Sequence, residues 1–342
     1  MGNIVAMHCD CTASALMLGG IGLVFVASGA PSVLFSIFAA AVSDCTLKLR
    51  FLSIFADWNV EESYADKVVL VTGASSGIGA ACAREYSKRG ATVVLAARRL
   101  HELDLVRQSC KNPDRHVVVQ LDLLDTGTHK SVVDDIFDKV GKVDLLVNNA
   151  GRSQRSLVEC TELDVFNRML QLNTIGTISI TKQVYARMKP GSQIAVVTSL
   201  AGKLGSPGAA AYSVTKFALH GFFETLRVEA AVNSVGINII CPGPVVSNGG
   251  EMAMTGSGAV AKDDPDTPAS SYDKRRMKTT RCARLMAVAT RQNLPEVWIS
   301  PNPELMITYI AQYAPGLYQR MALILGPKRI KKFKRQAKAQ TK

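Results

Sequence analysis

The polar and hydrophobic residues of this chain alternate in blocks from residue 67 onward. Apolar runs of four or five residues are each followed by a longer stretch in which apolar residues recur at helical spacing. Short runs that are apolar throughout predict strands buried on both faces, and the stretches between them predict helices that connect parallel strands. We therefore predict an α/β fold with a doubly wound, mostly parallel sheet. The predicted strands are residues 68–71, 92–96, 116–120, 144–147, 194–198, 237–241 and 296–300.

The predicted helices differ in length, and the two longest lie in the second half of the alternating region. Residues 162–189 form one of them, which Pro190 and Gly191 end, and residues 210–233 form the other. Shorter helices are predicted for residues 77–88, 100–110, 131–140 and 279–291. Residues 245–280 are rich in Gly, Ser, Asp and Pro, which is typical of a loop that covers a substrate site. The predicted domain spans residues 67–300.

The first 47 residues have a different pattern. No charged residue occurs from residue 11 to residue 43. As a helix this segment would extend over about 50 Å, more than the roughly 30 Å hydrocarbon core of a membrane, although Pro31 and several glycines can kink it. We predict a retained single-pass membrane anchor, with a cleaved signal peptide and a buried element as alternatives. A signal peptide would need basic residues at its start, and the first ten residues contain no Lys or Arg.

Residues 48–66 connect the predicted anchor to the folded domain and can lie along a membrane surface. Lys48 and Arg50 follow the apolar segment, whereas no basic residue precedes it. By the positive-inside rule this asymmetry places the folded domain on the cytosolic side, and we expect a location at the endoplasmic reticulum membrane.

The C-terminal region also combines apolar and basic segments. Residues 301–327 are apolar and aromatic with a break at Pro315-Gly316, which predicts helices that pack on the domain or lie against a membrane. Residues 328–342 contain eight Lys or Arg and no acidic residue, so this basic tail supplies most of the net charge of +12. The rest of the chain is nearly balanced in charge, which argues against nucleic acid as a partner.

A glycine-rich turn, T-G-A-S-S-G-I-G in residues 72–79, joins the first predicted strand to the first predicted helix. Strand, turn and helix in this order form the first unit of a Rossmann-like, dinucleotide-binding sheet. Gly73 permits a tight turn, Gly77 lets the backbone approach a pyrophosphate, and Gly79 lets helix and strand pack closely. The helix N-terminus offers free N–H groups to the phosphates. The residues expected to contact the cofactor here are Gly73, Ser75, Ser76, Gly77, Ile78 and Gly79.

The eight cysteines are spread along the chain without the spacing of a disulfide framework or a zinc site. His8, Cys9 and Cys11 lie close together in sequence, but no fourth ligand follows at a usable spacing. The spacing of these residues therefore predicts no metal site.

Candidate catalytic residues lie near the start of the second long helix. Tyr212 and Lys216 are four residues apart, so both side chains can face one site. A free phenol has a pKa near 10, and a neighbouring cation favours its ionised form and moves that pKa toward neutrality. Ser199 follows the preceding strand, at the sheet edge where ligands bind, and can hydrogen-bond a substrate oxygen.

Together these motifs resemble those of the short-chain dehydrogenase/reductases. The glycine-rich turn, the N-N-A-G sequence of residues 148–151, Ser199, the Tyr212/Lys216 pair and Pro242-Gly243 occur in the order and at the separations usual in that family. The resemblance covers residues 67–244. Residues 155–157, 238–248, 279–286 and 296–300 are similar to a membrane-associated branch of the family, that of dehydrogenase/reductase family member 7.

The resemblance implies roles for these residues. Tyr212 would act as general acid in reduction and general base in oxidation, and Lys216 would hold the nicotinamide ribose and lower the tyrosine pKa. Ser199 would orient the substrate oxygen. Asn173, in the first long helix, matches a fourth catalytic residue that supports a water relay to Lys216.

Three further residues are assigned to the cofactor by the resemblance. Asn149 and Gly151 would line the edge of the cofactor site. Asp122, after the third strand, would suit the adenine amine.

The end of the second strand predicts which cofactor is used. NAD-binding members of such folds carry an acidic residue there, which holds the ribose 2′-hydroxyl. Here the strand leads into Ala97-Arg98-Arg99, with no carboxylate. Arg98 can offer two charge-assisted hydrogen bonds to a 2′-phosphate, with Arg99 as the reserve candidate. We therefore predict NADP(H).

The resemblance implies hydride transfer between the nicotinamide and a lipophilic carbonyl or alcohol of steroid, retinoid or xenobiotic type. It also implies a possible homodimer through the two long helices. The alternative is a non-catalytic, cofactor-binding membrane scaffold, which the intact set of Ser199, Tyr212, Lys216 and Asn173 disfavours. A nucleotide-sugar epimerase is disfavoured by the glycine spacing, because that group shows G-x-x-G-x-x-G.

Overall fold

The computed structural model describes residues 44–55, 63–247, 252–260 and 276–340. Residues 1–43 of the predicted membrane anchor lie outside these described residues. The chain divides into two units, residues 1–54 and residues 55–342. Helix α1 (Cys45–Phe55) belongs to the first unit except for its last residue, and the carboxylate of Asp44 caps it by accepting the N–H of Thr46 at 2.7 Å. Within the part of the chain described above, no helix has both the length and the hydrophobicity that a transmembrane span needs.

A seven-stranded sheet forms the centre of the second unit. Its strands occur in the order β3-β2-β1-β4-β5-β6-β9, and every neighbouring pair is parallel. The strands are β1 (Val68–Thr72), β2 (Thr92–Ala97), β3 (Val117–Gln120), β4 (Leu145–Asn148), β5 (Gln193–Val197), β6 (Gly236–Pro242) and β9 (Glu296–Ile299). The α/β class and the seven predicted strands are confirmed.

Helices connect these strands along most of the unit. They are α2 (Gly77–Lys88), α3 (Leu100–Gln108), α4 (His129–Val140), α5 (Leu163–Leu170), α6 (Gly176–Tyr185), α7 (Ala210–Ala231), α8 (Thr279–Arg291), α9 (Glu304–Tyr313) and α10 (Pro315–Gln340). Helices α2 and α8 match the predicted bounds. Strands β1 and β4, in the middle of the sheet, are buried on both faces, which explains why their sequences are almost entirely apolar rather than alternating.

The core is made of aliphatic side chains from the strands and the inner faces of the helices. Leu70, Leu146, Ile194 and Phe223 are fully buried, and each contributes about 1.5–3 kcal/mol relative to an exposed position. Tyr64, in the predicted connector, is also part of this unit, because its hydroxyl donates to the carbonyl of Ala287 in α8 at 2.8 Å.

The sheet order reverses between β1 and β4. Strand β1 pairs with β2 on one side and with β4 on the other, so the connections leave in opposite directions from this point. Ligands in open α/β sheets bind in the crevice that such a reversal creates at the carboxyl ends of the strands. The glycine-rich turn and the N-N-A-G sequence both follow strands at this point.

The first predicted long helix, residues 162–189, is interrupted in the structure. Residues Gln171–Ile175 form a π-helical turn between α5 and α6, in which the N–H of Gly176 donates to the carbonyl of Gln171, five residues back. Periodicity alone misses such a turn, because one extra residue barely disturbs the apolar pattern.

The C-terminal region is more helical than the sequence pattern indicates. Helix α10 extends through the predicted basic tail to Gln340 and contains Pro327. Lys334 of this helix forms an ion pair with Glu159 at 2.5 Å, so the two segments are in contact. A run of like charges argues for an extended tail, but Lys, Arg, Gln and Ala all have good helix propensity.

The predicted covering segment, residues 245–280, is described only in part. Strand β7 (Val245–Val246) pairs in parallel with β8 (Met277–Lys278), and Met254 bridges to Gln154. These contacts join the two ends of the segment to each other and connect Met254 to Gln154.

Candidate active site

The glycine-rich turn is packed too closely for any side chain at its key positions. Gly73 has a φ of +68°, and a Cβ there would lie 2.8 Å from the Cα of Ala150. A Cβ on Gly79 would overlap the carbonyl oxygen of Gly73. The tight turn expected at Gly73 and the close helix–strand packing expected at Gly79 are therefore both present.

Asn149 braces this turn from the end of β4. Its side-chain amide donates to the carbonyl of Thr72 at 3.0 Å, and its backbone N–H donates to the Thr72 hydroxyl at 3.0 Å. The Thr72 hydroxyl also accepts the N–H of Ala150 at 3.1 Å. Thr72 thus links the glycine-rich turn to the N-N-A-G sequence. The sequence did not predict this role, because a Thr at the end of a strand matches no motif.

The N-terminal turn of α2 faces a cavity. Ser76 occupies the N-cap position of α2 with extended backbone and makes no side-chain capping bond. A cavity of about 360 Å³ borders Ser75, Ser76 and Gly77 and reaches Ser247 and Thr279. Ile78, also predicted to contact the cofactor, follows Gly77 in the helix and is partly buried. The helix end leaves polar groups available to an anionic ligand.

Arginines surround the end of β2. Arg98 and Arg99 are both exposed, and Arg99 donates to the hydroxyls of Ser75 at 3.1 Å and Ser76 at 3.5 Å. The pKa of Arg152 is lowered, first by burial and then by the positive charges of Arg98, Arg168 and Arg99. These four cations share one region of the site, which is suited to an anion.

Asp122 follows β3 and shapes the loop after it. Its carboxylate accepts the N–H of Leu124 at 3.1 Å, and its carbonyl hydrogen-bonds the His129 ring at 3.0 Å. The loop is therefore held in place, with Asp122 partly buried at the carboxyl end of the sheet.

Helix α7 carries Tyr212 and Lys216 on one face. The ammonium of Lys216 lies 5.6 Å from the centre of the Tyr212 ring and donates to the carbonyl of Val197 at 2.9 Å. Burial of this ammonium lowers the pKa of Lys216 to about 8. The carbonyl at the end of β5 thus anchors the lysine beside the tyrosine.

The pKa of Tyr212 is raised, which differs from the expectation that Lys216 moves it toward neutrality. Burial of the phenol raises this pKa, and the hydrogen bond with the Ser199 side chain acts in the opposite direction. Desolvation dominates because the cation points to Val197 rather than to the phenol oxygen. Tyr212 is therefore protonated at neutral pH.

Ser199 lies between β5 and α7, at the N-cap of a 3₁₀ turn (Leu200–Gly202). Its hydroxyl accepts the N–H of Ala201 at 3.1 Å and faces the carbonyl of Pro242 at 3.4 Å. These contacts fix the hydroxyl at the carboxyl edge of the sheet, next to Tyr212.

Asn173 sits in the π-helical turn and connects three segments. Its amide group donates to the carbonyl of Arg152 at 2.8 Å and to the hydroxyl of Thr215 at 3.1 Å, and its oxygen accepts the N–H of Arg152 at 2.8 Å. A Cβ on Gly151 would come within 3.0 Å of that oxygen and 3.9 Å of the Lys216 ammonium. The structure thus brings Asn173, Gly151 and Lys216 together.

This geometry combines a glycine-rich turn at a helix N-terminus with a Tyr–Lys–Ser–Asn group at the carboxyl edge of a parallel sheet. It defines a dinucleotide-dependent oxidoreductase of the Rossmann-like type. A family model for short chain dehydrogenase matches residues 67–255, and the chain belongs to this family. It is an oxidoreductase whose fold binds a nicotinamide cofactor.

Particular relatives agree with this assignment. Dehydrogenase/reductase SDR family member 7 from Homo sapiens is 40 % identical over 309 residues, which cover 87 % of this chain and 88 % of the human protein. The protein of the same name from Mus musculus is 40 % identical over 310 residues, with the same coverage. The predicted similarity to this branch is confirmed.

Solved structures share the fold. A dehydrogenase/reductase from Sinorhizobium meliloti 1021 superposes with a TM-score of 0.61 at 22 % identity, covering 71 % of this chain and 97 % of that one. A short chain dehydrogenase from Burkholderia cenocepacia J2315, solved in complex with NADP, has a TM-score of 0.59 at 25 % identity and covers 70 % and 98 %.

Proposed function

We propose that this protein is an NADP(H)-dependent oxidoreductase that interconverts a lipophilic carbonyl compound and its alcohol. The observation that carries the proposal is the convergence of Tyr212, Lys216, Ser199 and Asn173 beside the glycine-rich turn. A scaffold that only binds the cofactor would need the turn but not this group. The cofactor supplies the hydride; the protein positions the substrate oxygen and moves a proton.

The proton would come from Tyr212. Its raised pKa keeps the phenol protonated at neutral pH, which favours donation to a carbonyl oxygen in the reductive direction. Ser199 hydrogen-bonds the same substrate oxygen, because its hydroxyl already lies against the tyrosine. The Lys216 ammonium has one donor bonded to Val197, which leaves its other donors for a ribose and for stabilising the phenolate that forms.

Asn173 would act indirectly. Its side chain is fully engaged with Arg152 and Thr215, so it positions the backbone at Gly151 and the neighbourhood of Lys216. Water beside Asn173 would return a proton to the phenolate by way of Lys216. Asn149, Gly151 and Asp122 would border the nicotinamide and adenine parts of the cofactor.

The residues present fit a cofactor with a 2′-phosphate. Ala97 ends β2 where NAD-specific proteins carry an acid, and Arg98 is exposed beside it. The related Burkholderia protein was solved with NADP, which supports the same choice here. Arg99 holds the serines of the turn, which leaves Arg98 as the residue proposed to bind the 2′-phosphate.

We also infer a membrane-associated enzyme, with residues 1–47 as anchor and the endoplasmic reticulum as location. The uncharged segment of residues 11–43 supports this. Exposed apolar side chains on α10, among them Leu317, Leu323 and Ile324, would rest against the membrane surface and favour substrates that partition into it.

A homodimer through the two long helices is part of the same proposal. Exposed apolar residues follow one side of α7 and its C-cap residue at helical spacing: Val214, Phe217, Val228 and Val232. Such a stripe is suited to pairing with a second copy of the chain.

Replacement of Tyr212 by Phe tests the proposed chemistry. The ring remains but its transferable proton is lost, so we expect turnover to fall by about 10²–10⁴-fold while NADPH binding stays nearly unchanged. Purified protein in detergent would be assayed with NADPH against steroids, retinals and aromatic carbonyls. Tyr185→Phe is the matched control, because the Tyr185 hydroxyl accepts only a surface bond from Asn233.

Substantial activity of the Tyr212→Phe variant on any substrate that the wild type reduces would contradict the proposed role. NADPH binding by the wild type without turnover of any compound in the panel would favour the scaffold alternative.

A further inference from the structure

Three metal-binding side chains meet on the side of α7 that continues past Lys216. His220 and Glu224 follow Tyr212 and Lys216 at intervals of four residues, and Glu296 comes from the start of β9. The Nδ1 atom of His220 lies 3.7 Å from Oε1 of Glu224 and 3.8 Å from Oε2 of Glu296. The three ligand atoms lie within 4.8 Å of one another.

The Nδ1 atom of His220 is buried and has no hydrogen-bond partner among the described residues. The side chain is only 5 % exposed, and its Nε2 atom faces the Cys241 sulfur at 3.7 Å. The Nδ1 atom faces the two carboxylates, so one nitrogen and two oxygen atoms that can bind a metal converge between α7 and β9.

Lys203 lies closer to Glu296 than to Glu224. Its ammonium lies 3.0 Å from Oε1 of Glu296, on the opposite oxygen from the one that faces His220, and 4.0 Å from Glu224. The Trp298 ring N–H donates to the same Oε1 atom at 2.6 Å. Partners on Oε1 orient the carboxylate, as second-shell groups do at metal sites, and leave Oε2 turned toward the imidazole.

We propose that His220, Glu224 and Glu296 form a binding site for a divalent transition-metal cation, with Zn²⁺ as the best match. One imidazole and two carboxylates with an open fourth position are a common ligand set for zinc. Bonds of about 2.0–2.2 Å place tetrahedral ligand atoms roughly 3.3–3.5 Å apart, so small side-chain movements close the site. The ion would tie α7 to β9 behind the catalytic face.

The site is independent of the proposed hydride-transfer function, because none of its three ligands has a proposed role in proton transfer or cofactor binding. Residue spacing missed it, since Glu296 is far from the helix in sequence and no short ligand motif exists.

Zinc binding by the full-length protein tests the assignment. Chelator-treated protein carrying Cys9→Ser and Cys11→Ser, so that the N-terminal thiols do not bind metal, would be titrated with Zn²⁺ by calorimetry. We expect one ion to bind and to raise the thermal unfolding midpoint. Glu224 is exposed, so we expect Glu224→Gln to leave folding unaffected. This variant should bind Zn²⁺ at least about tenfold more weakly.

Glu229→Gln is the matched control, because Glu229 is exposed on the same helix and remote from His220. It should bind as the unchanged background protein does. Equal affinity and stoichiometry in the Glu224→Gln and Glu229→Gln proteins would overturn the site. Replacement of bound Zn²⁺ by Co²⁺ adds a second measurement: absence of thiolate-to-metal charge transfer supports the nitrogen–oxygen ligand set, and its presence refutes it.

Discussion

Arg98 and Arg99 are adjacent in sequence but differ in their contacts. The Arg99 guanidinium is hydrogen-bonded to both serines of the glycine-rich turn, so it stabilises the turn itself. The Arg98 side chain is exposed, and its backbone carbonyl accepts a hydrogen bond from the Gln120 amide at 3.2 Å. An exposed guanidinium is suited to bind a phosphate.

Replacement of each arginine by Ala separates these roles. Arg98→Ala should raise the KM for NADPH about 10–100-fold and leave the KM for NADH nearly unchanged, because a charge-assisted hydrogen bond contributes about 1.5–3 kcal/mol. Arg99→Ala should raise both KM values by similar, smaller factors, because it loosens the turn that either cofactor uses. Ala97→Asp should shift the preference toward NADH through repulsion and a new ribose contact. Steady-state kinetics measures the KM values for NADPH and NADH in each variant. An equal change of both KM values in Arg98→Ala would exclude 2′-phosphate recognition by this residue.

At the scale of elements, the π-helical turn between α5 and α6 sets the position of Asn173. One extra residue in the turn rotates Asn173 into contact with Arg152 and Thr215, where it is completely buried. The first residue of α6, Gly176, lies directly against the carbonyl of Leu123, and a Cβ there would overlap it. The helix pair is therefore locked against the loop after β3.

Two glycine-to-alanine substitutions test this packing. Gly176→Ala should lower the free energy of unfolding by about 1–3 kcal/mol, because the added methyl group forces the loop and helix apart. Gly221→Ala, at an exposed position of α7 where a Cβ meets no atom of the described residues, should raise it by about 0.5–1 kcal/mol, because alanine favours the helix. Denaturant titrations measure both. A Gly176→Ala protein as stable as the wild type would show that this contact does not lock α6.

At the scale of the whole molecule, apolar segments lie at both ends of the chain. The uncharged N-terminal segment precedes the folded unit, and α9 and α10 expose Tyr313, Leu317 and Leu323 at its C-terminal end. The basic residues of 328–340 follow these leucines in the same helix. Apolar residues next to cationic ones favour an anionic membrane surface, so both ends are consistent with the proposed membrane association.

Expression in cells tests the association and its direction. The full chain should remain in the microsomal pellet after alkaline carbonate extraction, and a variant lacking residues 1–47 should be released. Protease added to intact microsomes should digest the folded domain, since Lys48 and Arg50 favour the cytosolic side. Complete protection until detergent is added would reverse the orientation.

The sequence was sufficient to predict the strands, because those in the middle of the sheet are buried on both faces and therefore carry apolar runs. It also predicted the glycine-rich turn, since Gly73 and Gly79 leave no room for a Cβ and only glycine fits. Local chemistry determines the strands and the turn, so one chain is enough to find them. The four candidate catalytic residues were named because their order and spacing resemble those of a known family.

Contacts between segments distant in sequence were decided only by the tertiary structure. Asn173 is hydrogen-bonded to Arg152, Val197 anchors Lys216, and the pKa of Tyr212 is raised. All three features depend on burial and on which groups lie nearest in the folded chain. The cluster of His220 with Glu296 requires α7 and β9 to pack together. No spacing rule contains such information, because desolvation and through-space geometry arise only when the chain has folded.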